Sequence, residues 1–242
     1  ENKIIQLFNK DSLEKFSKNK NEMLEKLKTL NKEEADELYE QYLESNNTIL
    51  ENLNIEHDKL LSGGIYNNED TSENFTDEEW KIANKFLNKY DLELWDIGEG
   101  MVTIRELPHL YYDMFKDYVT DDYKEYLKIW AKDSEKLYQA DAGLLVSFEE
   151  IGERIVTWES FLNQYPDTKL NIKVNALLNS YREDYLLGME NTPTRDGGYD
   201  GQPYTIIEEN IEVPATVKLT RFLGFVPDEK LMQTNIEDAE II

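Results

Sequence analysis

Chemistry has few places to start in this chain. It contains two histidines, His57 and His109, and no cysteine. Thiolate nucleophiles, disulfides, Cys-ligated zinc and iron–sulfur clusters are therefore excluded. The histidines fall in different segments, so a zinc site would need carboxylates brought from elsewhere. His109 stands in Leu107-Pro108-His109-Leu110-Tyr111-Tyr112 and reads as a partly buried residue at a helix start. No nucleophile elbow, P-loop or dinucleotide fingerprint occurs.

Carboxylates are the abundant groups. Glu149, Glu150, Glu153 and Glu159 share one helical segment with Trp158. A pair of carboxyls, one kept protonated, hydrolyses glycosides, and an indole face stacks on sugars. Trp158 also falls on the apolar stripe of Ile151, Ile155 and Leu162, which assigns it to the core. Asn67, Asn68, Glu69, Asp70 and Glu73 offer oxygens to calcium but lack EF-hand spacing, so a solvated loop is the simpler reading. The most unusual segment runs from Thr194 to Tyr204. Its glycines free the backbone, and Arg195, Asp196, Tyr199, Asp200 and Tyr204 make a candidate ligand-binding set. A plain connector is the alternative. The pattern calls for no cofactor and assigns no catalytic or metal-binding residue.

Charge narrows the partners. The 242 residues carry 26 Lys and Arg against 51 Asp and Glu, a net charge of −25. Such a surface repels phosphates and anionic lipid heads, so direct nucleic-acid binding is not expected. It suits cations, basic proteins or simple solubility. The 15 Tyr, 9 Phe and 4 Trp are too many for a disordered acidic chain, so a folded core is expected. No apolar run is long enough to span a bilayer.

Elements that would position these residues follow from periodicity. Leu13, Phe16, Met23, Leu24, Leu27 and Leu30 recur at helical spacing. Asn31 with Glu34 forms a capping box that opens a second helix, carrying Tyr39, Tyr42, Leu50 and Leu60 and ended by Gly63-Gly64. The two predict an antiparallel helical hairpin over 1–64, with a coiled coil to a partner as the alternative. Residues 65–76 read as a loop dividing the chain, and 77–242 as the main helical domain, unless both form one continuous domain.

Thr76 with Glu79 caps a helix burying Trp80, Ile82, Ala83, Phe86 and Leu87. Alternation then replaces the helical period, predicting a β-hairpin near residues 92–105, the one clear β signal. Further helices are predicted from Pro108, from a cap at Asp121 or Asp122 (with Tyr126, Leu127, Trp130 and Ala131 in the core), from a Ser147/Glu150 capping box, and from a Thr168 cap (with Leu170, Ile172, Val174 and Leu178 in the core) to Gly188. Residues 189–205 are expected to be loop, and a last helix to run from Pro214 to Pro227. The fold class is mainly α, an irregular multi-helix bundle or helical-repeat-like array with one small hairpin.

One junction carries a resemblance. Phe161-Leu162-Asn163-Gln164-Tyr165-Pro166-Asp167-Thr168 is echoed at Phe222–Glu229 and more faintly at Phe86–Asp91. It resembles the helix-to-helix junction of tetratricopeptide-like bacterial envelope lipoproteins, where Phe, three residues, Tyr-Pro-Asp and Ser or Thr close one repeat and start the next. The match covers about eight residues; the unequal separations and the hairpin depart from the family. It implies a helical scaffold outside the cytoplasm, tethered by a lipid on a Cys just ahead of Glu1. A chain beginning at Glu1 rather than Met fits a removed leader.

The leading expectation is a non-enzymatic binding or scaffold protein of a bacterial cell envelope, lipid-anchored or periplasmic, whose partner is an unknown protein or small ligand. A cytoplasmic location is the alternative. The competing functions are an acidic nucleic-acid mimic that inhibits a DNA-binding protein, and a carboxylate-based glycan hydrolase.

Overall fold

A computed structural model describes residues 3–62, 75–98, 100–196 and 205–206, with 195–196 and 205–206 as backbone. The chain divides into two compact units, Glu1–Glu135 and Lys136–Ile242. The chain is mainly helical, with small two-stranded antiparallel sheets.

In the first unit, α1 (Lys10–Leu27) and α2 (Lys32–Glu56) are capped by Asn9 and by the Asn31/Glu34 box. Buried Ala35, Tyr39, Tyr42, Asn46, Leu50 and Leu53 follow three- and four-residue steps down one face of α2. His57 separates α2 from a short α3 (Asp58–Leu61), which ends before Gly63-Gly64. The buried His57 ring ties the start of α1 to the end of α2. Its Nε2 accepts the Asn9 backbone N–H at 3.0 Å, so the proton sits on Nδ1, which donates to the Leu53 carbonyl at 2.7 Å.

The Thr76/Glu79 capping box opens α4 (Asp77–Leu87), as expected. Next come β1 (Leu92–Gly98) and β2 (Met101–Glu106), paired in antiparallel register with Leu94 opposite Ile104. A lone hairpin has two open edges and is marginal in water. Here each edge is closed by an asparagine. Asn84 of α4 accepts the Leu94 N–H at 2.6 Å. On the other edge, Asn54 of α2 accepts the Ile104 N–H at 2.7 Å and donates to the Ile104 carbonyl at 2.9 Å. A side-chain amide thus replaces a neighbouring strand.

Helices α5 (Leu110–Phe115) and α6 (Asp121–Asp133) complete the unit, with Tyr39 edge-on to Tyr111, Phe115 and Tyr123. The expected cap of α6 at Asp121 or Asp122 is corrected: the N-cap is Thr120. The buried Asp36 of α2 takes its N–H at 3.0 Å and its hydroxyl at 2.7 Å. The cap residue is thus held in place from across the fold, which local sequence does not show. Trp130, expected in the core, stacks on Tyr126 but remains 38% exposed.

The second unit begins with β3 (Gln139–Ala140) and β4 (Gly143–Leu144) around Asp141-Ala142, both at positive φ. The turn is held from outside: the Asn191 N–H donates to the Ala142 carbonyl at 2.9 Å. A helical hairpin follows, α7 (Phe148–Gln164) and α8 (Asn171–Leu187). Ser147 caps α7, but the box is half-formed, because the Glu150 carboxylate is held by Lys136 at 2.6 Å and Arg154 at 2.9 Å. Thr168 caps the turn before α8 rather than α8 itself, its hydroxyl accepting the Leu170 N–H. Ile172 is 85% exposed, not core. The buried stripe is Val174, Leu178, Tyr181 and Tyr185, and a residue two positions from Val174 points to the opposite side.

Gly188 ends α8 at φ 68, where a Cβ would lie 2.3 Å from the Thr192 carbonyl oxygen. The segment beyond is not simply loop. Strands β5 (Gly188–Met189) and β6 (Thr192–Pro193) pair, as do β7 (Arg195–Asp196) and β8 (Thr205–Ile206). Runs of two residues are too short to show alternation in sequence. The expected helix from Pro214, the Phe222–Glu229 echo and the Asn67–Glu73 loop lie outside the described residues.

Candidate functional site

The first unit carries a groove of about 250 Å³. Its floor is apolar: Leu24 from α1, Leu107 from the segment after β2, and Leu110 and Met114 from α5. Four polar residues complete the lining: Lys20, Asp91, His109 and Asp113.

Local sequence explains each position. Lys20 and Leu24 are one turn apart on α1 and so share a face. Leu110, Asp113 and Met114 do the same on α5. Asp91 sits in the left-handed region at φ 60 and closes the hairpin's base, its carbonyl accepting the Leu107 N–H at 2.9 Å. His109 takes the N-cap position of α5 without a side-chain cap bond.

The ionisable lining groups are engaged. Lys20 Nζ lies 2.5 Å from Asp91 Oδ2, Lys116 Nζ 2.7 Å from Asp113 Oδ1, and His109 Nε2 2.8 Å from Glu135 Oε1. In the core of the same unit lies a polar cluster. Asn46 donates to Glu106 and to the Tyr111 hydroxyl, and Tyr111 donates to Glu106. Asn46 Oδ1 and the Tyr42 hydroxyl are buried without a partner. Burial, and then the charges of Glu106 and Asp91, raise the Tyr42 hydroxyl above its ordinary value.

A second groove, about 320 Å³, runs along α7 and α8. The Arg182–Glu159 pair, 2.8 Å apart, lines it with Leu162, Leu178, Asn163 and Asn175. Nearby, the buried Arg154 guanidinium lies against both the Tyr138 and Tyr181 rings, which touch each other, and holds Glu150. Burial alone would raise Glu150, but hydrogen bonds from Lys136 and Arg154 outweigh it and hold the carboxyl below the usual range. Asp184, which accepts the Tyr138 hydroxyl at 2.9 Å, is raised by burial.

The expected site residues fare differently. β7 and β8 tie together the backbone at both ends of the 194–204 segment. Thr194 is structural, its buried hydroxyl donating to the Leu186 carbonyl at 2.7 Å. Arg195 and Asp196 are placed by backbone alone, and Tyr199, Asp200 and Tyr204 lie outside the described residues. The carboxylates considered for glycoside chemistry do not gather around an open indole. Trp158 is fully buried, Glu159 holds Arg182, Glu150 is shifted away from an acid's role, and Glu149 and Glu153 are exposed.

Among the described residues, no group of three or more His, Asp or Glu is placed to hold a metal ion, and no helix is long and apolar enough to cross a membrane. Sequence reading singled out His109 but missed Lys20, Asp91 and Asp113. Only the Asp91 position before the hairpin carried a local signal. Compared with protein families, with characterised proteins and with solved structures, the chain matches none.

Proposed function

We propose that this chain is a non-enzymatic binding or scaffold protein of a bacterial cell envelope, exported and lipid-anchored. The observation that carries binding is the first unit's groove, an apolar floor with a few polar groups around it. That is the composition of sites that hold a small ligand or one side chain of a partner. Its Lys, Asp and His side chains sit in ion pairs and a His–Glu hydrogen bond, an arrangement suited to holding a ligand rather than turning it over.

The location rests on the Phe161–Thr168 segment. It has the form the lipoprotein resemblance implies: α7 stops at Gln164, Phe161 and Thr168 are buried, and α8 starts at Asn171.

Two measurements test the two halves. The mass of the native N-terminal peptide, taken from membrane and soluble fractions, decides the location. A lipid-modified Cys joined ahead of Glu1 supports it; an unmodified, Met-initiated chain in the soluble fraction overturns it. For binding, a photo-crosslinking residue at position 113 in the source cells is expected to give one discrete adduct that the same residue at exposed Glu153 does not. No adduct from either position sinks the binding half.

A further inference from the structure

The binding reading leaves the groove's occupant open, and one of its lining pairs shows a chemistry that fits. Lys20, a four-carbon stem ending in an ammonium, lines it with its head on Asp91. We propose that the groove holds a basic side chain, lysine or arginine, of a partner protein, and that Lys20 is a built-in competitor for Asp91. This inference rests on the binding role proposed above.

Three observations carry it. The floor of Leu24, Leu110 and Met114 suits an aliphatic stem, which long basic side chains bury while keeping the charge near water. The carboxylates are half used: Lys20 takes one oxygen of Asp91, and Lys116 one oxygen of Asp113. An incoming ammonium or guanidinium can take the others, a charge-assisted bond for each. Finally, the field is negative, because the chain carries a net charge of −25. Such a field draws cationic partners and repels anionic ones.

The competitor role makes the test directional. If the ligand is a cation, removing Lys20 strengthens binding. If it is an anion or a zwitterion held by Lys20, the same change weakens it.

The experiment uses the full chain with its methionine methyls labelled with carbon-13. The probe is Nα-acetyl-lysine N-methylamide; its Nε-acetylated form and Nα-acetyl-glutamate N-methylamide are the controls. At low salt the lysine probe is expected to shift the Met114 methyl, leaving Met101 and Met189 in place, with millimolar affinity. Neither control does so. Lys20→Met raises the affinity about threefold, the scale of one partly exposed ion pair. Asp91→Asn lowers it about fivefold, and added salt lowers it in both the wild type and K20M.

Should D91N perturb the fold, K20M alone decides, since its expected effect is a gain. Weaker binding in K20M, or tighter binding of the glutamate probe, overturns the cation assignment and leaves the groove a binding site. Silence at Met114 from every probe overturns both this inference and the groove's proposed role.

Discussion

Asn54 offers the sharpest test of how the first unit is held. Its side chain uses its whole hydrogen-bonding capacity. Nδ2 donates to the Leu50 and Ile104 carbonyls, and Oδ1 accepts from the Thr103 hydroxyl and the Ile104 N–H, all between 2.7 and 2.9 Å. Asn54→Asp is nearly isosteric, yet it turns both donor contacts into oxygen facing oxygen. The Leu50 and Ile104 carbonyls lose their amide partner and meet a charge of the wrong sign.

A buried polar group left unsatisfied costs about 1–3 kcal/mol. Ile104 and Leu50 are buried, but the Leu50 carbonyl keeps the helical N–H of residue 54 and Asn54 itself is half-buried, which trims the total. We expect N54D to cost about 3 kcal/mol, and Asn54→Ala about 2 kcal/mol, because water can enter the space alanine leaves. The conservative-looking change is therefore the worse one.

Amide hydrogen exchange of peptides spanning β1 and β2, read by mass spectrometry, measures this locally. Exchange in N54D should speed up by roughly a hundredfold where it proceeds by unfolding of the hairpin. Lowering the pH from 7 toward 4 should narrow the deficit, since protonation returns one donor to the introduced carboxyl. If N54D protects β1 and β2 as well as the wild type does, or better than N54A does, the asparagine clamp is not what closes this sheet edge.

Three further outcomes follow from the second unit. Gly188→Ala places a Cβ 2.3 Å from the Thr192 carbonyl oxygen at φ 68, and should cost about 2–4 kcal/mol in urea unfolding, with wild-type stability refuting the turn geometry. Glu159→Gln leaves the Arg182 charge poorly paired and should cost about 2 kcal/mol, while replacing both residues with leucine should recover most of the loss; equal damage from both variants would deny that the ion pair is the cause. Glu150 is depressed, so its contribution is present above the unfolded carboxylate pKa and is lost as pH falls through the lower folded value. Asp184 is raised and works the other way, favouring the folded state as pH falls. Acid titrations of Glu150→Gln and Asp184→Asn should change the pH slope of stability in opposite senses, and a shared sense would contradict the assignment.

Much of the local structure was legible because local rules made it. The Asn31/Glu34 and Thr76/Glu79 boxes, the stripe from Ala35 to Leu53, the hairpin and the Gly188 stop each depend on residues close in sequence. Capping geometry and side-chain period act within a turn or two, so a reader of the chain can see them. Charge and composition likewise set a negative field and removed thiol chemistry without any fold.

The groove belongs to the other class. Lys20 meets Asp91 across 71 positions of the chain, and Asp36 holds Thr120 across 84. Asn54 reaches Ile104 across 50. Nothing in the spacing of those residues marks them as neighbours, because packing of helices on the hairpin brings them together. Pattern alone also left Ile172 and Trp130 in the core, since apolar identity states a preference while only the packed neighbours decide burial. The sequence by itself determined most of the helical elements, the caps at Asn31, Thr76 and Ser147, and a net charge of −25. Only the tertiary structure decided which charges pair, which sheet edges are closed and where a ligand can lie, because those depend on contacts between segments far apart in the chain.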